Sequence, residues 1–300
     1  MKTLEDLQRM VAEVPQVDIH EESPEYPLIR VKNTFATAEI ALHGAHLTRF
    51  KPKGASDVIF LSKHAQYKTE TPIRGGIPIC WPWFSRHQEH SDFPSHGIAR
   101  TSFWDLKAVE HSDAHTQVVL SLTTDGTDPR WPYSSSVHAH FTVGESLSVS
   151  LTTFNADKKP FQFGDALHCY FRVDEAEKTE IIGLEGSSYV YRLEDPTEKT
   201  QAEPIIIDRP IDRIFQSTQA CSIEDRASGR IILLEKTGSQ NTVVWNPGAD
   251  GAMQISDLSN DEYRQFVCVE QANTHPTPIT LEPGASHTTE VSIALKDIEK

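Results

Sequence analysis

The stretch that decides the fold is SVHAHFTVGESLSVSLTTF, residues 136–154. It holds two short runs rich in Val, Thr and Phe, 136–143 and 146–154, with turn-forming residues between them. Runs of the same kind recur along the chain at 28–32, 58–61, 117–123, 167–173, 230–234, 264–270 and 287–295. Many strands at short intervals, with almost no helical periodicity, predict an all-β fold, a large antiparallel sandwich or barrel.

One helix is expected, near the N-terminus. Thr3 can cap it, Leu4, Leu7 and Val11 recur at helical spacing, and Pro15 ends it. A chain of 300 residues leaves room for two domains, but β-sandwiches often form one unit of about 250 residues. Because no repeat, low-complexity tract or linker interrupts the pattern, we predict one domain, 1–300, with a helical extension at 1–15.

The composition narrows the classes of function. Against 28 basic residues stand 43 acidic ones, a net charge of −15, which disfavours nucleic acid as a partner. No run approaches the roughly 18 apolar residues of a membrane span, and the N-terminus lacks the regions of a signal peptide. With four cysteines far apart, these features predict a cytoplasmic protein with reduced thiols and no membrane partner. Phosphate-loop, dinucleotide-binding and serine-hydrolase motifs do not occur.

The segment 74–100 differs from the rest of the chain. It begins RGGIPICWPWF and ends HGIAR, and it carries three arginines and two acidic residues in a strongly acidic protein. The paired tryptophans Trp81 and Trp83 offer flat faces that could stack on a sugar ring. A rigid aromatic loop closing one end of a barrel is the competing interpretation. Histidines at 87, 90 and 96 match no common zinc spacing, so no metal is expected.

Two strand-like runs carry titratable groups. In 167–173, alternation places His168, Tyr170 and Arg172 on one face and apolar residues on the other, as in a polar pocket wall. A hydrogen-bonded histidine on an exposed strand face is the alternative. The run 264–270 is apolar on both faces until it ends at Glu270, which is then either a partnered structural carboxylate or a functional one. Together His168 and Glu270 form a plausible acid–base pair near neutral pH.

Five segments in this order carry a family resemblance: 74–78 (RGGIP), 96–100 (HGIAR), the strand with His168, 212–215 (DRIF) and the strand with Glu270. Together they resemble the hexose-6-phosphate mutarotases, also called glucose-6-phosphate 1-epimerases, a branch of the aldose 1-epimerase superfamily. The resemblance spans about residues 25–295. It implies a galactose mutarotase-like antiparallel β-sandwich and an enzyme that interconverts the α and β anomers of hexose 6-phosphates.

The resemblance also implies roles for individual residues. His168 matches the family's general acid and Glu270 its general base. The residues that match substrate ligands are His96 and Asp212, for the ring oxygen and hydroxyl groups, and Arg74 and Arg100, for the 6-phosphate.

Several expectations follow from the resemblance. The partner is a small sugar phosphate, no metal or other cofactor is required, and nothing calls for more than a monomer. Two rival functions remain open: a mutarotase of unphosphorylated aldoses, and a non-catalytic sugar-phosphate-binding regulatory module.

Overall fold

The N-terminal helix is the first element of the computed structural model, which describes residues 2–194 and 197–298. The outer limits of the predicted domain, residues 1 and 300, lie outside these ranges. Helix α1, Leu4–Val11, begins with a capping box in which the Asp6 amide donates to Thr3 Oγ1 over 3.2 Å. Leu7 and Val11 are buried on its inner face. The helix predicted from Thr3 and the apolar spacing is thus confirmed.

Nearly half of the described residues form β-strands. In chain order they are β1 Val17–Ser23, β2 Tyr26–Lys32, β3 Ala36–Ala41, β4 His46–Pro52, β5 Ile79–Cys80, β6 Asp105–His111, β7 Thr116–Asp125, β8 Ser134–Val143, β9 Leu147–Asn155, β10 Phe161–Phe163, β11 Asp165–Leu167, β12 Tyr170–Arg172, β13 Thr179–Ile182, β14 Ser188–Tyr191, β15 Glu198–Thr200, β16 Ile205–Ile206, β17 Ile211–Gln216, β18 Cys221–Asp225, β19 Arg230–Thr237, β20 Asn241–Asn246, β21 Phe266–Asn273, β22 Ile279–Leu281 and β23 Ser286–Asp297. Short helical pieces are α2 Gly248–Ala252 and the 3-10 turns Ala99–Thr101, Ala176–Lys178 and Glu262–Gln265. No helix in 2–194 or 197–298 is long and apolar enough to cross a membrane.

Two large antiparallel sheets dominate the architecture. One has nine strands in the order β16-β13-β18-β19-β23-β9-β8-β7-β6. The other has eight: β15-β14-β17-β20-β21-β11-β5 form its path, and β12 also pairs with β21. A four-stranded sheet, β1-β2-β3-β4, and the pair β10-β22 complete the fold. The predicted class, a large antiparallel β-sandwich with a short N-terminal helix, is confirmed.

The core lies between the nine-stranded and eight-stranded sheets. One continuous buried cluster contains Ile232 and Val149 from the first sheet and Val244 and Val269 from the second. Successive side chains on a strand point to opposite faces. The neighbour of Val269, Glu270, therefore lies on the face of the eight-stranded sheet that points away from this core.

Three details of the sequence interpretation are wrong. The run 58–61 forms only isolated bridges, Ile59 to Phe171 and Leu61 to Gly75. The run 167–173 is broken between β11 and β12, where the Cys169 amide donates to the Leu167 carbonyl over 3.0 Å. The strand predicted at 264–270 does not end at Glu270, because β21 continues to Asn273.

Candidate active site

A cavity of about 330 Å³ lies against the outward face of the eight-stranded sheet. The strands β17, β20 and β21 form the base of this cavity. Residues directly opposite each other on neighbouring strands have their side chains on the same face of the sheet. Asp212 pairs with Trp245 in one row across β17 and β20, and Val243 pairs with Glu270 in the next row across β20 and β21. The cavity brings together every catalytic and substrate-binding residue predicted from the sequence, namely Arg74, His96, Arg100, His168, Asp212 and Glu270.

His168 and Glu270 face each other at the bottom of the cavity. His168 Nδ1 lies 3.5 Å from Glu270 Oε1, and Glu270 is only 1 % exposed. The His168 ring stacks on Tyr170, with centroids 4.9 Å apart and planes 7° from parallel. Within the described chain, neither His168 Nδ1 nor Glu270 Oε2 has a hydrogen-bond partner. Buried polar atoms are almost always hydrogen-bonded, so this pair is free to engage a ligand.

Burial moves the two proton affinities in opposite directions. Desolvation raises the pKa of Glu270 well above its usual value, and the nearby Asp212 carboxylate raises it further. Desolvation lowers the pKa of His168 to about 3, and the charges of Arg100 and Arg74 lower it further. Both shifts favour the neutral pair, with a proton on Glu270 and none on His168. Protonation of His168 therefore depends on a ligand whose charge stabilises the imidazolium.

This burial predicts a pH-dependent stability difference between the wild type and Glu270→Gln. Because the folded-state pKa of Glu270 is raised, its carboxylate destabilises the folded protein as pH rises above the ordinary value of about 4.5. The amide carries no charge to desolvate. In thermal melts at pH 8, Glu270→Gln should therefore have a higher melting temperature than the wild type. Near pH 4, the melting temperatures of the two proteins should become equal. A Glu270→Gln protein that melts lower at pH 8 contradicts this.

Arg74 enters the cavity from a loop that requires glycine. A Cβ on Gly76, which has φ of +71°, would lie 2.3 Å from Nε2 of the buried His46. Arg74 Nε donates to Asp257 over 3.0 Å, and Nη1 donates to the Tyr170 hydroxyl over 3.1 Å. These contacts use two of its five N–H donors. The guanidinium is thus held rigidly while donors remain for an anion.

The segment ending HGIAR brings His96 and Arg100 beside the pair. His96 has φ of +66°, unusual for a residue with a side chain, and a Cβ on the following Gly97 would lie 2.0 Å from the Trp81 carbonyl. Burial lowers the pKa of His96 well below its usual value, so the ring is neutral near pH 7. Arg100 Nη2 donates to the Ser95 carbonyl over 2.7 Å, which orients the guanidinium.

The opposite wall contains Asp212 and a residue that sequence reasoning missed, Arg192. Asp212 Oδ1 lies 3.7 Å from Arg192 Nη1, and burial raises the pKa of this carboxyl group. Arg192 follows β14, and pairing of β14 with β17 brings its amide to the Asp212 carbonyl at 2.8 Å. No local pattern marks Arg192 in the sequence, since only this long-range pairing places it at the cavity.

The aromatic residues are arranged differently from the sequence interpretation. Trp81 is completely buried and packs edge-on against Trp131 at 5.2 Å, so its predicted stacking on a sugar is wrong. Trp83 lines a neighbouring cavity of about 370 Å³, and its indole N–H donates to the Pro94 carbonyl. Besides Tyr170, the aromatic side chains that line the cavity near His168 and Glu270 are Trp245, edge-on to His168 at 6.1 Å, and Phe84. The expected role of Trp83 stays a prediction.

Arg172, expected on the His168 face, is half-buried and is not among the residues that line the cavity. Among the described residues, one trio offers metal-ligand atoms within 4.8 Å of one another: His168, Cys268 and Glu270. Burial raises the pKa of the Cys268 thiol well above its usual value, which opposes the thiolate that a metal binds. The expectation of no metal stays a prediction.

Comparisons with known proteins agree with this geometry. Residues 27–294 match the family described as aldose 1-epimerase. An Escherichia coli K12 protein with the provisional name glucose-6-phosphate 1-epimerase is 35 % identical over 268 residues, 88 % of each chain. A crystal structure from Salmonella typhimurium, provisionally described as a mutarotase, superposes with a TM-score of 0.86 and 28 % identity, covering 96 % of this chain and 99 % of the other. Galactose 1-epimerase from Lactobacillus acidophilus shares the fold, with a TM-score of 0.73, 15 % identity and coverage of 94 % and 98 %.

Proposed function

The chain belongs to the aldose 1-epimerase family and is an epimerase of the mutarotase type, and we propose that it interconverts the α and β anomers of D-glucose 6-phosphate and related hexose 6-phosphates. The observation that carries the choice of substrate is the pair of arginines, Arg74 and Arg100, on the His168 side of the cavity. The relative from Escherichia coli, named for the same sugar phosphate, supports the proposal.

In this proposal, Glu270 is the general base and His168 the general acid. Glu270 takes the proton of the anomeric O1 hydroxyl as the C1–O5 bond breaks, and protonated His168 gives its proton to O5. The product is the open-chain aldehyde. Rotation about C1–C2 presents the other carbonyl face, and the reverse transfers close the opposite anomer. The pair holds one proton in total before and after ring opening, so no external acid or base is needed.

The covalent structure of the substrate explains why Arg74 and Arg100 are placed to bind the 6-phosphate. C5, which bears the C6-phosphate arm, is bonded to the ring oxygen that His168 would protonate. A phosphate on the His168 side of the cavity therefore meets Arg74 and Arg100, whose guanidinium forks match phosphate oxygens. Its negative charge would also offset the arginine charges that lower the pKa of His168. Phosphate binding would thus favour the protonated acid.

We further propose a single-domain, cytoplasmic monomer that works without a metal or other cofactor. One chain supplies all six predicted site residues to the cavity, and one buried cluster joins the two large sheets. The four cysteines, Cys80, Cys169, Cys221 and Cys268, are free and buried, as is usual in a reducing compartment.

The proposal is tested by NMR magnetisation exchange between the α and β anomeric protons of glucose 6-phosphate, with catalytic amounts of protein and with glucose alongside. Faster exchange of the phosphate ester alone is the expected result. Equal acceleration of both sugars would identify a general aldose mutarotase instead. Binding without acceleration of either sugar would favour the sugar-phosphate-binding module.

Replacing Arg74 by methionine tests the phosphate contact. We expect the KM for glucose 6-phosphate to rise about 10- to 100-fold, since a charge-assisted hydrogen bond is lost, while the kinetics with glucose change by less than about threefold. Arg49→Met is a matched control, because Arg49 Nε donates to Asp57 over 2.8 Å outside the cavity, as Arg74 Nε does to Asp257. An equal loss with both sugars counts against a phosphate role for Arg74.

A further inference from the structure

Arg192 connects two walls of the cavity. Its Nη2 donates to Ser85 Oγ over 2.8 Å, in the loop that carries His96, while Nη1 lies 3.7 Å from Asp212 on the sheet. That distance is too long for a hydrogen bond. It leaves room for one oxygen that accepts from the guanidinium and donates to the carboxylate. A hydroxyl group does both, whereas a carboxylate only accepts and an ammonium group only donates.

The charged groups are unevenly arranged around His168 and Glu270. Arg74 donates to the hydroxyl group of Tyr170, on which His168 stacks. Asp212 opposes Trp245, two residues along β20 from Val243, the partner of Glu270. Asp212 and Arg192 act on Glu270, Arg74 acts on His168, and Arg100 acts on both. In an aldohexose 6-phosphate, the phosphate arm leaves from the carbon beyond the ring oxygen. The 2-hydroxyl group lies on the other side of C1, next to the anomeric hydroxyl that Glu270 would deprotonate. A substrate bound with its phosphate at Arg74 and Arg100 therefore presents its 2-hydroxyl group to Asp212 and Arg192.

We propose that Arg192 is a specificity-determining residue that, together with Asp212, binds the 2-hydroxyl group of the sugar. This inference rests on the proposed function. Binding of O2 holds C2 and the rest of the sugar in place while the C1 aldehyde rotates about the C1–C2 bond. Arg192 thereby favours sugars with a hydroxyl group at C2 and helps keep the open-chain intermediate in position for reclosure.

The experiment compares two enzymes on two substrates, by NMR anomer exchange with glucose 6-phosphate and with 2-deoxyglucose 6-phosphate, which lacks O2. For the wild type, kcat/KM should fall about 10- to 100-fold when O2 is removed, because a hydroxyl contact to charged groups is lost. For Arg192→Met, kcat/KM with glucose 6-phosphate should fall by a similar factor. The preference between its two substrates should then shrink to within about threefold.

Arg213→Met is the matched control. Arg213 neighbours Asp212 on β17 but lies on the opposite face, where its guanidinium packs over the Tyr189 and Tyr191 rings. This variant should keep the wild-type preference for a 2-hydroxyl group. Activity of Arg192→Met on the deoxy sugar shows directly that the variant is folded.

Two outcomes overturn the inference while leaving the proposed function intact. In the first, Arg192→Met loses the same factor on both phosphorylated sugars, so Arg192 does not sense O2. In the second, it loses activity on both phosphorylated sugars but not on glucose, so Arg192 binds the phosphate. A wild-type protein that fails to accelerate exchange of glucose 6-phosphate contradicts the proposed function itself.

Discussion

Replacing Glu270 by glutamine is expected to lower kcat for anomer exchange of glucose 6-phosphate about 10²–10⁴-fold, the usual contribution of a positioned general base. The amide has nearly the same shape and size but cannot accept the O1 proton. Because the other ligands of the substrate are untouched, KM should change by less than about threefold. Magnetisation exchange gives kcat, and substrate titration of line widths gives binding.

A surface glutamate serves as the control for this substitution. Glu290 lies on β23 of the nine-stranded sheet and accepts from Ser148 over 2.6 Å, away from the cavity, so Glu290→Gln should exchange anomers at the wild-type rate. Normal turnover by Glu270→Gln would remove Glu270 from the role of base. Loss of binding together with turnover would instead indicate that the carboxylate acts through structure or substrate affinity.

Replacing His168 by alanine is expected to lower kcat by a similar factor, about 10²–10⁴-fold, because O5 would leave without a proton. The substitution also leaves an imidazole-sized space between Tyr170 and Glu270. Added imidazole should enter that space and restore part of the lost turnover, with a saturable dependence on its concentration. A folded His168→Ala protein whose turnover imidazole does not raise would point to a positioning role.

The control for imidazole rescue is His138→Ala. His138 lies half-buried on β8, where it shares a 2.8 Å hydrogen bond with Ser136, and it should be neither impaired nor stimulated by imidazole. Thermal melts of both variants test whether the fold persists. An unfolded His168→Ala protein would show that stacking of His168 on Tyr170 is needed for stability, and His168→Gln would then be used for the kinetic test.

The acid–base pair carries a cost to stability that the surrounding fold offsets. Two titratable groups are held almost free of solvent, with Glu270 Oε2 and His168 Nδ1 unpartnered in the described chain. Such atoms cost free energy unless a ligand satisfies them. Groups in this condition mark functional sites, where proteins give up some stability for reactivity. The predicted stabilisation of Glu270→Gln at pH 8 and its loss of turnover are therefore two consequences of the same burial.

Local patterns in the sequence were enough to predict the class of the fold. Alternation of apolar and polar residues in 136–143 and 146–154 identifies strands because every second side chain must enter the core, and β8 and β9 extend those runs by only a few residues. The helix at Leu4–Val11 follows from the Thr3 cap and apolar residues one turn apart. The pattern predicted the strands least well at the cavity, where the run 167–173 is interrupted as the Cys169 amide donates to the Leu167 carbonyl.

Most residues of the candidate site could also be proposed from the sequence, through resemblance to a family rather than through a pattern of secondary structure. Arg74, His96, Arg100, His168, Asp212 and Glu270 lie in short motifs whose order resembles one enzyme family, so chemistry was inferred from similarity rather than from geometry. The burial of Trp81 could not be inferred in this way. Two tryptophans separated by one residue look equivalent in the sequence, yet one packs against Trp131 in the core and the other lines a surface cavity.

The sequence by itself therefore determined the all-β class and the N-terminal helix, and it led to the proposal that His168 and Glu270 are the acid–base pair. Only the tertiary structure decided which other side chains surround that pair. Trp245 faces His168 because β20 lies between β17 and β21 in the sheet, and Arg192 reaches Asp212 because β14 pairs with β17. Strand order and register join segments far apart in the chain, and they depend on how all the strands pack together. No local pattern of residues specifies that arrangement.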